Sequence, residues 1–174
     1  MSTPFGPRTV RRVWLLTLAG IAVWLTAIFA APWLLARGAP GAARFIYGVF
    51  SPTCHQIPDR CFALYGRPLA VCGRCLGIYA GFAAGLVFYP LFLGFRRLSL
   101  PRPALFAAMS LPMAVDAIGG ILGLWRSPIG LRFATGLVWG MLLPYYFVPG
   151  AADFLRIRAE RRRARALEIQ APRT

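Results

Sequence analysis

The chain has 174 residues, 58% hydrophobic and 14% charged, with a formal net charge of +15. That balance is more apolar than a soluble domain usually carries, and the basic residues cluster at the ends of apolar runs rather than among aromatics on a polar face, so nucleic acid is not an expected partner. Every basic residue is arginine, which excludes Schiff-base and lysine general-base chemistry.

Residues 1–12 are short and basic, with Arg8, Arg11 and Arg12. An uncharged run follows from Val13 to Ala36. A bilayer core of about 30 Å needs about 20 helical residues, so this run predicts a first span at 13–36. It is too long for the apolar core of a cleaved signal peptide. Residues 37–75 predict a loop, whose Phe45–Phe50 stretch is apolar but too short to cross and whose Pro52, Pro58 and Pro68 argue against a long helix. The second span is expected at 76–95, ended by Arg96 and Arg97. Its Gly77, Gly81 and Gly85 recur every four residues and stack on one helix face, where small residues let a neighbouring helix approach closely. A third span is expected at 103–125, carrying one charge, Asp116, and a fourth at 129–152, carrying Arg132 and a second small-residue pair, Gly136 and Gly140. Residues 153–174 form a basic tail suited to anionic lipid headgroups, with Phe154, Leu155 and Ile157 resting on lipid. The expected fold is therefore an all-α integral membrane protein with four transmembrane helices (a membrane domain over 13–152).

Loop charge indicates orientation. With the N-terminus inside, inner segments hold thirteen arginines and outer segments six (Arg37, Arg44, Arg60, Arg67, Arg74 and Arg126), with Arg132 in a span. Both termini are thus expected in the cytoplasm of a prokaryotic inner membrane, and the 37–75 loop outside.

That loop holds all four cysteines, Cys54, Cys61, Cys72 and Cys75, and the only histidine, His55. Cys72-x-x-Cys75 brings two sulfurs to one point, and a second pair from the loop can complete the tetrahedron that zinc favours. The adjacency of Cys54 and His55 is tighter than the usual ligand gap, so one of them can be ligand and the other its support. Two other readings stay open on the same residues. The cysteines can pair as inert disulfides if the loop faces an oxidising compartment. Alternatively, a CxxC at a helix N-terminus has a lowered thiol pKa and can cycle, as in a membrane thiol–disulfide oxidoreductase delivering electrons from Cys72 and Cys75 to a quinone.

Cys54-His55-Gln56, Arg60, Pro68, Cys72, Arg74-Cys75, Gly77, Tyr79 and Gly81 resemble the signature of domain-of-unknown-function family 2085, predicted membrane proteins of bacteria and archaea. The resemblance continues through Pro112, Asp116, Arg126-Ser127, Arg132, Thr135 and Gly136, covering roughly residues 50–142. The family has no established activity, so no reaction comes with it. In its pattern the Cys61 position is more often serine, which implies that Cys54, His55, Cys72 and Cys75 are the shared metal set and Cys61 an extra thiol. Pro128-Ile129 departs from the polar residue expected after Arg126-Ser127.

A carboxylate inside a bilayer is costly unless paired. Arg132 is the expected partner of Asp116, with Arg126 and Arg74 near the same surface. Such a group can pin two helices together or serve a proton- or ion-coupled transporter. The chain carries no nucleotide-binding loop, HExxH helix or GxSxG elbow. Its CxxC is followed by Leu76, not the histidine of c-type haem attachment. The expectation is a multi-pass membrane protein with a zinc site at the outer surface, handling a lipid or small molecule.

Overall fold

A computed structural model describes residues 7–92 and 102–170, and within them the apolar composition is converted almost wholly into helix. The helices are α1 (Pro7–Ala36), α2 (Pro40–Phe50), α3 (Gly73–Phe92), α4 (Pro103–Ile121), α5 (Ile129–Leu142) and α6 (Pro144–Gln170). Between α2 and α3 lie a 3₁₀ turn, Pro58–Arg60, and a two-stranded hairpin of β1 (Ala63–Leu64) and β2 (Arg67–Pro68). Proline initiates α2, α4 and α6, where its missing N–H is not needed by the helix. Among the described residues, four helical stretches are long and apolar enough to cross a membrane: Arg8–Ala36, Gly73–Phe92, Pro103–Ile121 and Ile129–Arg162.

Several limits differ from those the hydropathy suggests. α1 already includes Arg8, Arg11 and Arg12, because arginine is a good helix former and a charge at a helix end stays in water. α3 begins at Gly73, ahead of Leu76. Residues 93–95 of the expected second span lie outside the described residues, as do Arg96, Arg97, residues 1–6 and residues 171–174 of the tail. The fourth apolar stretch is divided at Leu143: Pro144 cannot donate to the α5 ladder, and α6 restarts there. The loop at 37–75 contains a helix, α2, built from the apolar stretch that cannot span.

α4 stops at Ile121, four residues short of Trp125. Gly123 adopts φ +72°, and the Leu124 amide donates to the Gly119 carbonyl at 2.9 Å, closing a Schellman turn. Asp116 is consequently near the end of its helix rather than mid-span.

α3 and α5 form the most extensive interface, flanked by α4 on α5 and by α1 and α6 on α3. A Cβ on Gly77, Gly81 or Gly85 would run into the carbonyl oxygens of Phe133, Leu137 and Met141 in turn. One on Gly136 or Gly140 would meet those of Arg74 and Ile78. The two backbones therefore interlock, each helix's glycines receiving the other's peptide groups. Dispersion at this separation stabilises association in lipid, where hydrophobic burial contributes little.

Apolar packing gathers at two ends. Val10, Val13, Leu86, Tyr89, Val148 and Ala152 join α1, α3 and α6 at one end, where Trp14 Nε1 donates to the Leu86 carbonyl at 2.7 Å. At the other, Ile28, Phe50, Leu69, Val71 and Leu76 form the floor beneath the cysteine loop, closed by Trp24 edge-on to Phe50 and Phe62 edge-on to Phe133.

Candidate metal centre and polar site

The loop is held from both sides by short-range chemistry. Tyr65 and Gly66, with φ of +53° and +70°, make the two-residue turn that fits the right-handed twist of the β1–β2 hairpin. The Tyr47 hydroxyl reaches from α2 to the Pro68 carbonyl at 2.5 Å. Gln56 sits at φ +52°, a costly conformation for a residue with a Cβ. Its side-chain amide donates to the carbonyls of Tyr47 at 2.7 Å and Ala70 at 2.8 Å, offsetting that strain and tying the end of α2 to the segment entering α3. No role for Gln56 follows from its sequence context, because a polar residue in a loop gives no sign of which carbonyls it will bridge.

All four thiols are free. The sulfurs of Cys54, Cys72 and Cys75 lie within 4.8 Å of one another, close enough to hold a metal ion. Cys54 is buried and accepts the backbone N–H of Cys72 at 3.2 Å on its sulfur. Cys72 precedes the first helical residue of α3 and its carbonyl accepts the Leu76 amide at 2.9 Å, which makes it the N-cap. Its thiol pKa is pulled well down by hydrogen bonds from the Cys54 and Cys75 thiols and from the Cys75 and Arg74 amides. His55 is not in the sulfur group. Its ring is exposed and lines the same small cavity, of about 200 Å³, as the three cysteines. Cys61 stands apart from the group: it is buried, its Sγ donates to the Ile57 carbonyl at 3.2 Å, and burial pushes its pKa up to about 12.

Arg74, between the two cysteines of the CxxC, lines their cavity and pairs with Asp116 of α4. The expected partner, Arg132, instead donates Nε to the Ser127 carbonyl at 3.0 Å. Ser127 donates its hydroxyl to the second oxygen of Asp116. The first turn of α3, the end of α4, the α4–α5 turn and the first turn of α5 thus meet at a single end of the bundle. Arg74 is the partner because the glycine contact brings the start of α3 against α5, and α4 packs on α5 beside it. Arg126 is exposed and takes no part in this pairing.

Next to the cysteine cavity lies a larger one, of about 490 Å³, lined by Asp59, Arg60, Trp125, Arg126, Ser127 and Arg132. Arg60 and Arg132 line both. Asp59 joins the site unannounced by any local motif, and Ser127, although part of the Arg126-Ser127 signature, gives no sign in the sequence that it lines a cavity with Asp59. Each comes from a loop, and only the tertiary fold brings the two loops together.

These features define a multi-pass helical membrane protein with a thiol cluster and an arginine-rich cavity at one end of the bundle. The chain belongs to the family of predicted membrane proteins DUF2085, whose profile matches residues 54–146, from the first cysteine to the start of α6. It is 33% identical over 145 residues to an uncharacterised protein of Methanocaldococcus jannaschii, covering 80% of this chain and 93% of that one. It is also 34% identical over 92 residues to an uncharacterised protein of Methanothermobacter thermautotrophicus, covering 53% of this chain and 81% of that one. No solved structure matches.

Proposed function

We propose that the protein is a membrane metalloprotein in which Cys54, Cys72 and Cys75 hold a zinc ion, with His55 as fourth ligand. The observation that carries this reading is the trio of free sulfurs within 4.8 Å of one another. A tetrahedral zinc with bonds of about 2.3 Å sets its sulfurs about 3.8 Å apart, so little movement is needed. The Cys72 thiolate and the amide donated to Cys54 are what a thiolate ligand set requires. The ion's role is structural: it fastens the loop that follows α2 to the N-terminus of α3, at the outer surface of a prokaryotic cytoplasmic membrane with both termini inside. The arginine cavity beside it handles a lipid or small molecule, and the arginine-rich second half of α6 meets anionic headgroups.

Metal analysis and a free-thiol count on the same detergent-purified sample, prepared under reducing, chelator-free conditions, test this. One zinc per chain with three protected thiols is expected. Metal-free protein with the cluster thiols open to alkylation overturns it.

A second reading is favoured by the N-cap position of Cys72. A stabilised thiolate beside Cys75 suits a thiol–disulfide oxidoreductase that passes two electrons to a quinone. It predicts that Cys72→Ser abolishes turnover with a thiol donor. Transport coupled to Asp116 has less support, since both its oxygens are engaged by Arg74 and Ser127. Unchanged transport in Asp116→Asn would remove that idea.

A further inference from the structure

The 490 Å³ cavity carries positive charge that its own lining does not neutralise. Its charged residues are Arg60, Arg126, Arg132 and one acid, Asp59, an excess of two positive charges. Arg74, nearby, is already matched by Asp116. Arg132 is only 7% exposed. Its Nε bonds the Ser127 carbonyl, and its two terminal nitrogens make no hydrogen bond among the described residues and stay open to the solvent of the cavity that Arg132 lines. A guanidinium does not escape burial by losing its proton. Asp116, the nearby acid, already has its oxygens bonded by Arg74 and Ser127, so the terminal donors of Arg132 are available to an anion that enters the cavity.

The size of the charge excess and its depth narrow the class. Forked guanidinium donors match the paired oxygens of phosphate and carboxylate alike, but a carboxylate neutralises one charge and a phosphomonoester up to two. Trp125, on the rim, packs against Gly119 with its indole 43% exposed. Indole rings at the ends of spans mark the headgroup level of a bilayer.

We propose that Arg60, Arg126 and Arg132 form a binding site for a phosphomonoester, borne by a membrane lipid or by a soluble compound. It deepens the small-molecule part of the function proposed above and rests on that part. The cysteines line the neighbouring smaller cavity and are not part of this site.

The test is equilibrium binding of short-chain phosphatidic acid and of inorganic phosphate to the detergent-purified full chain, with zinc content measured on each sample. Arg60 and Arg126 are exposed, so Arg60→Gln and Arg126→Gln leave the fold intact. Each is expected to weaken saturable one-to-one binding about tenfold, the loss of one charged hydrogen bond. Arg158→Gln, on α6, is expected to leave it unchanged. Binding of phosphatidic acid alone assigns the site to a lipid headgroup; binding of inorganic phosphate with the same arginine dependence assigns it to a soluble phosphate. Absence of binding by both, or binding that ignores Arg60 and Arg126 or falls equally with Arg158→Gln, overturns the proposal. A sample that contains zinc and binds neither probe sinks this site alone. One that binds phosphate without metal sinks only the zinc reading.

Discussion

The guanidinium of Arg74 is ion-paired with Asp116, so a residue inside the CxxC connects the cysteine loop to the end of α4. Asp116 is 5% exposed and the Arg74 side chain 19%. Removing one member of such a pair leaves the other uncompensated, at a cost of about 3 kcal/mol. Asp116→Ala is therefore expected to lower the thermal midpoint in detergent substantially, and the Arg74→Ala, Asp116→Ala double variant by less than the sum of the singles. A strictly additive double-variant cycle would remove the pair from the account.

The α3–α5 contact predicts a sharp contrast between glycines. At Gly81 a methyl group meets the backbone of Leu137, which has no side-chain freedom to yield. Gly81→Ala should destabilise by about 1–3 kcal/mol, the usual cost of overpacking. Gly20, in α1, has open space where a Cβ would go, and Gly20→Ala should be neutral or slightly stabilising by helix propensity. Thermal midpoints of both variants in one detergent check the contrast.

Which of these relationships sequence makes legible depends on how local they are. The glycine spacing of Gly77, Gly81 and Gly85 lies within one helix and shows which face is small. That α5 is the partner depends on Phe133, Leu137 and Met141 fitting that face, which is a property of the pair. The CxxC and the apolar runs are equally local. By contrast, the pairing of Asp116 with Arg74 depends on where α4 ends, and one backbone angle at Gly123 decides that. Gln56 and Ser127 act on carbonyls and a carboxylate nine to fourteen residues away, beyond any helical or turn period, where side-chain type carries no directional information.

Cys61 gives the apo protein a pH dependence of definite sign. Its folded pKa is raised to about 12 by burial, while an unfolded cysteine ionises near about 8.5. The folded state keeps the proton longer, so the stability from Cys61 is intact below about pH 8.5 and declines above it, by about 2 kcal/mol at pH 10. Cys72 has the opposite sign: its depressed pKa stabilises the fold above about pH 8.5, and this is lost as pH falls. Metal-free protein should therefore be most stable near pH 8–9. Cys61→Ala should shrink the alkaline limb by the Cys61 contribution, and a limb unchanged in that variant would assign it wholly to other groups.

Metal removal should act on the loop and spare the bundle. Cys54, Cys72 and Cys75 join two segments otherwise held by the bonds of Gln56 and Tyr47, whereas α3 and α5 are held by their own backbones. On chelation, amide hydrogen exchange is expected to rise over residues 53–72 and to stay low through 77–89 and 133–141. Cobalt substitution then distinguishes the fourth ligand. If His55 completes the set, His55→Ala alters the visible cobalt spectrum and weakens metal binding about 10–100-fold, since three thiolates remain. Cys61→Ser should leave the spectrum unchanged, its thiol being committed to the Ile57 carbonyl. A spectrum indifferent to His55→Ala would place water, not imidazole, in the fourth position.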